Sequence, residues 1–379
     1  GLTCVRCGRR YRRGLDAPCP RCGPEGVLDV DYDLPRVRRS LTRRALATRP
    51  RSLWRYHELL PVAEGARTPP WEPGGTPLVP SSPLAGWAGV RQLLVKDEGQ
   101  NPTGSFKDRG ISAAVTRAVH DGVEEFVIPS AGNAGAALAA YAARAGIPAR
   151  LYIPSDTPAG VEVRCRAFGA DVTMVDGLIT DCGALAAEDA ARTGAFDLST
   201  LREPYRIEGK KTMALEILES LGWRAPDAVV YPTGGGTGLI GTWKALNELA
   251  SIGVVADAGT RLYAVQGEGC APIVRAWRAG AHRAEEWENS STEAWGLRVP
   301  RARGDFLILR ALRETDGGAV AVSDRAMLED AAVLQRREGV NACIEGGAVL
   351  AATRTLKAQN EIRDGETVVL FNTGNLQNY

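Results

Sequence analysis

The chain has 379 residues, more than one domain usually contains, and 44% of them are hydrophobic, which is ample for two buried cores. Its 46 Lys and Arg side chains oppose 45 Asp and Glu side chains, and the net charge of +1 supplies no bulk field for nucleic acid or an anionic membrane. We therefore expect a small-molecule substrate, and the lack of an apolar run of about 18 residues and of a basic-then-apolar leader predicts a cytoplasmic protein.

Two Cys-x-x-Cys pairs lie close together near the beginning of the sequence. Cys4 and Cys7 form the first pair, and Cys19 and Cys22 form the second. This segment is too short to bury a hydrophobic core, and a zinc ion bound by four thiolates would supply the missing folding free energy. We predict a zinc-ribbon-like module with a structural zinc over residues 1–32; a loop without metal is the alternative.

Short β-branched runs alternate with amphipathic segments of helical period from about residue 91 onward. The apolar runs are 93–95, 126–128, 151–153, 172–175, 229–231 and 368–371, and the clearest helical segments are 134–145, 210–221 and 326–338. This alternation predicts an α/β fold with parallel sheets and right-handed crossovers. Ligands bind beyond the carboxyl ends of the strands in such sheets, so the residues that follow each run are candidates for the site.

The first segment of interest runs from Lys96 to Gly110 and passes through a Pro/Gly turn before a helix that we predict to begin near Ser105. Lys107 then lies in the first helical turn. Backbone N–H groups and the positive end of the helix dipole disfavour an ammonium there, which favours the neutral amine that Schiff-base chemistry needs. The alternative is an ordinary surface lysine.

A small-residue loop follows the next strand. It consists of Ser130, Ala131, Gly132 and Asn133. Successive N–H groups in such a loop can hold a carboxylate, and the Asn133 amide can donate to a phenolate or carboxylate oxygen. The alternative is a simple helix N-cap at Asn133.

A glycine-rich loop follows the strand that ends at Tyr231. Its residues are Gly234, Gly235, Gly236, Thr237 and Gly238. Without Cβ atoms in the way, the backbone can wrap a phosphate at the start of the next helix. The glycines also match part of a dinucleotide-binding fingerprint, although the next strand, 261–266, ends in Gln266 rather than in an acidic residue.

The last predicted strand, 367–371, is followed by Asn-Thr-Gly-Asn. The hydroxyl of Thr373 is suited to bond a ring nitrogen that need not be protonated. A plain turn is the alternative.

These segments, in this order, resemble the fold-type II pyridoxal-phosphate (PLP) enzymes and, more closely, the threonine synthase family. The most specific match is Asn-Pro-Thr-Gly-Ser-Phe-Lys at 101–107, and the resemblance covers nearly the whole chain. It implies PLP rather than NAD as cofactor, a two-lobed fold like that of the tryptophan synthase β subunit, and a homodimer. It also implies a larger PLP-binding lobe, 33–95 with 206–379, and a smaller mobile lobe, 96–205.

The resemblance assigns roles to the candidate residues. Lys107 would hold PLP as a Schiff base and act as the general base once released. Asn133 would face the 3′ oxygen of the cofactor, residues 234–238 would hold its phosphate, and Thr373 would bond its pyridine nitrogen. Residues 130–132, with Asn133, would bind the substrate carboxylate.

The implied reaction removes phosphate from O-phosphohomoserine by γ-elimination and adds water at Cβ, which gives threonine. A dianionic leaving group needs cationic or N–H partners, and we expect Lys96, Ser105 and Arg164 among them.

The sequence departs from the family at its last residues. Residues 375–378 read Asn-Leu-Gln-Asn where relatives usually carry a Gly-Leu-Lys segment. This departure leaves open a related elimination or replacement enzyme, such as a threonine/serine dehydratase or a synthase of cysteate or diaminopropionate. A separate alternative is a binding or regulatory protein built on a degenerate fold, with the Cys-x-x-Cys module as its partner-binding surface.

Overall fold

The computed structural model describes residues 1–12, 18–62, 72–255 and 259–378. Every apolar run that was predicted as a strand forms one. The strands are β1 Leu2–Cys4, β2 Arg10–Tyr11, β3 Leu28–Val30, β4 Leu78–Pro80, β5 Gln92–Asp97, β6 Phe126–Pro129, β7 Ala149–Pro154, β8 Asp171–Val175, β9 Phe196–Asp197, β10 Ala228–Pro232, β11 Arg261–Gly267, β12 Gly318–Val322 and β13 Thr367–Asn372.

The helices alternate with these strands, as the sequence pattern predicted. They are α1 Leu34–Ser40, α2 Arg43–Ala47, α3 Ser82–Ala88, α4 Lys107–His120, α5 Asn133–Ala145, α6 Ala159–Ala167, α7 Ile179–Thr193, α8 Tyr205–Ser220, α9 Thr237–Ser251, α10 Pro272–Arg278, α11 Asp305–Glu314, α12 Asp324–Glu338 and α13 Ile344–Ala358. Short 3-10 helices are formed by Gly23–Glu25, Leu53–Leu59, Glu98–Gln100, Trp295–Leu297 and Leu376–Asn378. Among the helices of the described residues, none is both long and apolar enough to cross a bilayer.

Contacts between Cα atoms divide the chain into two units. Unit 1 comprises Gly1–Gly74, Lys107–Thr212 and Asn378–Tyr379, and unit 2 comprises Gly75–Phe106 and Met213–Gln377. The predicted division differs from this one, because it separated residues 1–32 as a module and grouped 33–95 with the larger lobe.

Unit 1 contains a parallel sheet of four strands in the order β8-β7-β6-β9. Helices α4 and α5 pack against each other and bury most of their residues. The loop 130–133 follows the carboxyl end of β6, and α5 begins at Asn133. The parallel sheet thus places this loop at the edge where ligands usually bind.

The N-terminal antiparallel sheet, in the order β2-β1-β3, shares the hydrophobic core of unit 1. Leu2, Leu28 and Val30 belong to the same buried cluster as Ile111 of α4 and Ala137 of α5. This burial is the physical reason why the beginning of the chain groups with unit 1 rather than standing alone.

Unit 2 contains a sheet of six strands in the order β12-β11-β10-β13-β5-β4, in which the β4–β5 pair alone is antiparallel. Val230 and Leu370, from the two central strands, share a buried cluster with Val349 and Leu350 of α13. Because β10, β13 and β5 are neighbours and run parallel, the segments that follow their carboxyl ends lie along one edge of this sheet.

Candidate active site

Lys107 is the first residue of α4, and its side chain is half-buried. The next two residues, Asp108 and Arg109, are fully buried, and Nη1 of Arg109 donates a hydrogen bond to Oγ1 of Thr212 at 2.9 Å. The first turn of a helix carries N–H groups without intrahelical acceptors, and these disfavour an ammonium. This setting suits a reactive amine better than a solvated surface lysine.

A second lysine, which the sequence did not single out, lies near Lys107 within unit 1. Lys210 of α8 is 1% exposed, and its Cε lies 2.9 Å from the position of a Cβ added to Gly110, one helical turn after Lys107. Burial, followed by the charges of Arg206 and Lys107, lowers the pKa of Lys210 well below its usual value. The sequence did not indicate that Lys210 is buried, because two adjacent lysines on a predicted helix are typical of a solvent-exposed face.

The loop after β6 is fixed by its own hydrogen bonds. Oγ of Ser130 accepts from the N–H of Gly135 at 2.8 Å and from the N–H of Gly132 at 3.3 Å. The N-cap position of α5 is Gly132, and Asn133 is the first helical residue. Asn133 therefore does not cap the helix, and its amide faces other partners.

Arg164 of α6 contacts two amide side chains of unit 1. Its Nη2 donates to Oδ1 of Asn133 at 2.9 Å, and its Nη1 donates to Oδ1 of Asn378 at 2.6 Å. Asn133 is 8% exposed and Asn378 is 7% exposed. Since Oδ1 of Asn133 is the acceptor here, its Nδ2 group is the donating end of the amide. The role of Asn378 was not predicted, because its partner is more than 200 positions away in the sequence.

In unit 2, the glycine-rich loop leads from β10 into α9. Gly236 is the N-cap of α9, with a left-handed φ of +71°. A Cβ on Gly234 would lie 2.3 Å from the carbonyl oxygen of Gly296, and one on Gly238 would lie 1.8 Å from Oη of Tyr231. Close packing thus requires glycine here.

The backbone N–H groups of this loop are suited to an anion. Within the described residues, those of Gly234, Gly235 and Gly236 form no hydrogen bond with the protein, and Gly234 and Gly236 are buried. Buried donors without acceptors are costly unless a ligand satisfies them.

Thr373 follows β13 and is held by backbone pairing with the segment 104–106. Its carbonyl accepts from the N–H of Phe106 at 3.0 Å, and the next residues extend the pairing through Ser105, which is fully buried. Oγ1 of Thr373 lies 3.9 Å from Sγ of Cys343. Cys343, which the sequence had not indicated, thus lies beside this hydroxyl, and its backbone N–H donates to Oδ1 of Asn372 at 3.2 Å.

Comparison with known proteins identifies the family. Residues 72–374 match the family described as pyridoxal-phosphate dependent enzyme. The chain is 35% identical over 377 residues to a threonine synthase from Methanosarcina acetivorans, and the alignment covers 99% of this chain and 91% of that relative. It is also 33% identical over 372 residues to a threonine synthase from Methanocaldococcus jannaschii, and this alignment covers 98% of this chain and 91% of that relative. The chain belongs to the threonine synthase family of PLP-dependent enzymes.

Solved structures support the same architecture for this threonine synthase family member. A threonine deaminase from T.th. superposes with a TM-score of 0.68 at 28% identity, over 79% of this chain and 92% of that chain. A maize serine racemase superposes with a TM-score of 0.69 at 23% identity, over 80% of this chain and 88% of that chain. These likenesses confirm the predicted α/β, fold-type II class.

The residues of each unit fit PLP, the cofactor of this family. The glycine-rich loop 234–238 offers buried N–H donors at a helix start for a phosphate dianion. Thr373 offers a neutral hydroxyl, which suits an unprotonated ring nitrogen. Lys107 offers a primary amine at the first residue of α4. The family finding and these donor groups favour PLP over the dinucleotide alternative.

Lys96, predicted as a partner of the substrate phosphate, is 1% exposed in this family member. Its Nζ donates to Oε2 of Glu216 at 2.6 Å and to the carbonyl of Thr76 at 2.7 Å, and Oε1 of Glu98 lies 3.9 Å away. Its charge is therefore compensated by carboxylates of unit 2. This arrangement favours a structural role and gives no support to a contact with substrate.

The four N-terminal cysteines form one cluster of free thiols. Their Sγ atoms all lie within 4.8 Å of one another, and those of Cys7 and Cys19 are 3.8 Å apart. A tetrahedral zinc with Zn–S bonds of about 2.3 Å requires sulfur atoms roughly 3.8 Å apart. Oη of Tyr11 lies 2.9 Å from Sγ of Cys19, a contact that the sequence did not predict. The cluster consists of Cys4, Cys7, Cys19 and Cys22.

Proposed function

We propose that this protein is a threonine synthase that converts O-phosphohomoserine and water into threonine and phosphate. The observation that carries the proposal is the similarity to threonine synthases over nearly the full length of both chains. The position of Lys107 at the start of a helix and the donors of the glycine-rich loop support it.

The loop 130–133 would bind the carboxylate of the substrate. Its conformation is fixed by Ser130, and the positive end of α5 begins at Asn133. N–H groups at a helix start favour an anion. A loop held in this way would orient the substrate before any proton moves.

Three side chains would then serve the chemistry. When bound, PLP supplies the electron sink that stabilises negative charge at Cα and Cβ of the substrate. Nζ of Lys107 would anchor the cofactor and, once free, take the Cα proton and move protons along the substrate. The hydroxyl of Thr373 would orient the ring nitrogen, and the guanidinium of Arg164 would stabilise the departing phosphate.

The proposal is tested by mixing the cofactor-loaded protein with O-phosphohomoserine and measuring threonine, phosphate and visible absorbance in a single turnover. We expect threonine and phosphate in equal amounts and a shift of the visible band. The Lys107→Ala variant should give neither product. Normal binding of O-phosphohomoserine without release of phosphate would contradict the assignment.

A second candidate is an enzyme that eliminates or replaces a different leaving group. The segment 375–378 favours it, since it lacks the lysine that relatives usually carry after Asn-Thr-Gly. Offering O-phosphoserine, serine and threonine in the same assay separates the two candidates. A keto acid or a replaced product, without threonine from O-phosphohomoserine, would establish the second.

We further propose a structural zinc at the four-cysteine cluster, a homodimer and a cytoplasmic location. The spacing of the sulfur atoms supports the zinc. The homodimer rests on the family resemblance, and the free state of all eight cysteines suits a reducing compartment.

A further inference from the structure

Gln266, the next-to-last residue of β11, is 0% exposed and lies within unit 2. Its Oε1 accepts from the N–H of Ile273 at 2.9 Å and from the N–H of Val274 at 3.2 Å. Its Nε2 donates to the carbonyl oxygen of Thr233 at 3.1 Å. One buried amide therefore contacts both the start of α10 and the residue that precedes the glycine-rich loop.

The hydrogen bonds to α10 fix which end of the Gln266 amide faces Thr233. Ile273 and Val274 lie in the first turn of α10, where backbone N–H groups have no intrahelical acceptor. The N-cap residue, Ala271, has no side chain that accepts a hydrogen bond. Because only the oxygen of an amide accepts, Oε1 faces α10 and the NH2 group faces Thr233.

Thr233 is held through both of its backbone polar groups. Its N–H donates to the carbonyl oxygen of Val265 at 2.8 Å, and its carbonyl oxygen accepts from Gln266. Thr233 is 0% exposed, so bulk water does not replace the donor if Gln266 is lost. A buried carbonyl without a donor is costly, and the chain would turn this peptide to avoid it.

The bond to the carbonyl of Thr233 also sets the direction of the N–H of Gly234. These two groups share one trans peptide plane, so they point in opposite directions. Glycine tolerates φ of either sign, and a peptide plane beside it reorients at little steric cost unless another contact holds it. The N–H of Gly234 is buried and has no protein acceptor within the described residues. Gln266 thus orients a donor that is suited to a phosphate oxygen.

We propose that Gln266 is a positioning residue for the cofactor, which aims the N–H of Gly234 at the phosphate of PLP by holding the carbonyl of Thr233. This inference rests on the proposed function, which assigns the phosphate to the loop 234–238. Gln266 acts through the peptide plane and does not touch the cofactor. Its effect on affinity therefore depends on the phosphate group of the ligand.

The test compares Gln266→Glu and Gln266→Met with Gln335→Glu. At about pH 8.5 the carboxylate of Gln266→Glu keeps an acceptor for α10 but removes the donor to Thr233, whereas Gln266→Met removes both at similar volume. Gln335 of α12 is the matched control, because its Nε2 also donates to a backbone carbonyl, that of Ala342 at 3.1 Å.

The whole chain, freed of cofactor, is titrated with PLP and with pyridoxal, which lacks the phosphate. Visible absorbance gives the two Kd values, and thermal melting reports whether each variant is folded. We expect both Gln266 variants to raise the Kd for PLP by about 10- to 100-fold, the contribution of one hydrogen bond to a charged group, and the Kd for pyridoxal by less than about 3-fold. Gln335→Glu should leave the ratio of the two Kd values within about 2-fold of the wild type.

Equal losses for PLP and pyridoxal, or an unchanged Kd for PLP, would overturn the proposal. A loss in Gln266→Glu beside an unchanged, folded Gln266→Met would be due to repulsion by the new carboxylate and would likewise reject it. The titrations need no turnover, so they decide the role of Gln266 whether or not O-phosphohomoserine is a substrate. If the wild type binds pyridoxal as tightly as PLP, the assignment of the phosphate to the loop 234–238 fails instead.

Discussion

Lys210 packs against Gly110, and its Cε lies 2.9 Å from the position that a Cβ on Gly110 would occupy. The carbonyl oxygen of Arg206 is 2.7 Å from the same position. The first half of α8 thus approaches α4 as closely as glycine permits, one turn after Lys107. A buried amine is thereby kept close to the predicted cofactor-binding lysine.

The Gly110→Ala substitution should destabilise the protein, because the new methyl group meets the backbone of Arg206. We expect a loss of about 1–3 kcal/mol in the free energy of unfolding, as for other overpacked sites, measured by urea denaturation. Gly183→Ala on α7 is the matched control, since a Cβ there has no neighbour within 4 Å. That control should be neutral or slightly stabilising, because alanine favours helix. Equal stability of the two variants would contradict the close approach.

We expect the stability of the protein to depend on pH because Glu203 is buried. Burial raises its pKa to about 7 against the opposing charge of Arg206. An acid with a raised pKa binds its proton more tightly in the folded state, so its stabilising effect is complete below about pH 4.5 and is lost as pH rises through 7. Relative to Glu203→Gln, the wild type should lose about 3 kcal/mol of unfolding free energy between pH 4.5 and 8.

Urea denaturation of wild type and Glu203→Gln at several pH values measures this difference. Glu329→Gln, at an exposed position, is the control and should track the wild type throughout. A constant difference between wild type and Glu203→Gln across this range would show that folding does not raise the pKa of Glu203.

Lys96 and Glu216 form a buried ion pair, so the effects of substituting them on the free energy of unfolding should not be additive. Lys96→Met leaves the Glu216 carboxylate without its cation and should cost about 3–5 kcal/mol of unfolding free energy. The double variant Lys96→Met/Glu216→Gln removes the unpaired carboxylate but keeps an acceptor for the N–H of Gly75. It should recover much of the unfolding free energy that Lys96→Met loses. If Lys96→Met is instead stable and loses only activity on O-phosphohomoserine, the predicted contact with substrate phosphate is correct.

Removal of metal should test the cysteine cluster. We expect one zinc per chain by elemental analysis, released in step with modification of the four thiols. Because Leu2, Leu28 and Val30 belong to the core of unit 1, metal removal or Cys4→Ser should lower the melting temperature of the whole protein. Cys182→Ser, a buried cysteine outside the cluster, is the control for loss of a thiol. A metal-free protein with an unchanged melting temperature would exclude a structural zinc.

The sequence by itself determined the α/β class, the order of strands and helices, and the loops that carry the candidate residues. Lys107, the loop 130–133 and the glycine-rich loop were found because short-range patterns of apolar, small and glycine residues encode strand ends and helix starts. These signals lie within about ten consecutive residues, so no knowledge of the tertiary structure was needed.

The tertiary structure alone decided which side chains meet across long stretches of sequence. Asn378 and Arg164 are 214 positions apart, and Lys96 and Glu216 are 120 positions apart. Burial likewise turned Lys210, which resembles a surface lysine in the sequence, into an amine with a lowered pKa. Such pairings and the desolvation that accompanies them depend on how distant elements pack, and no local pattern of residue types records that packing.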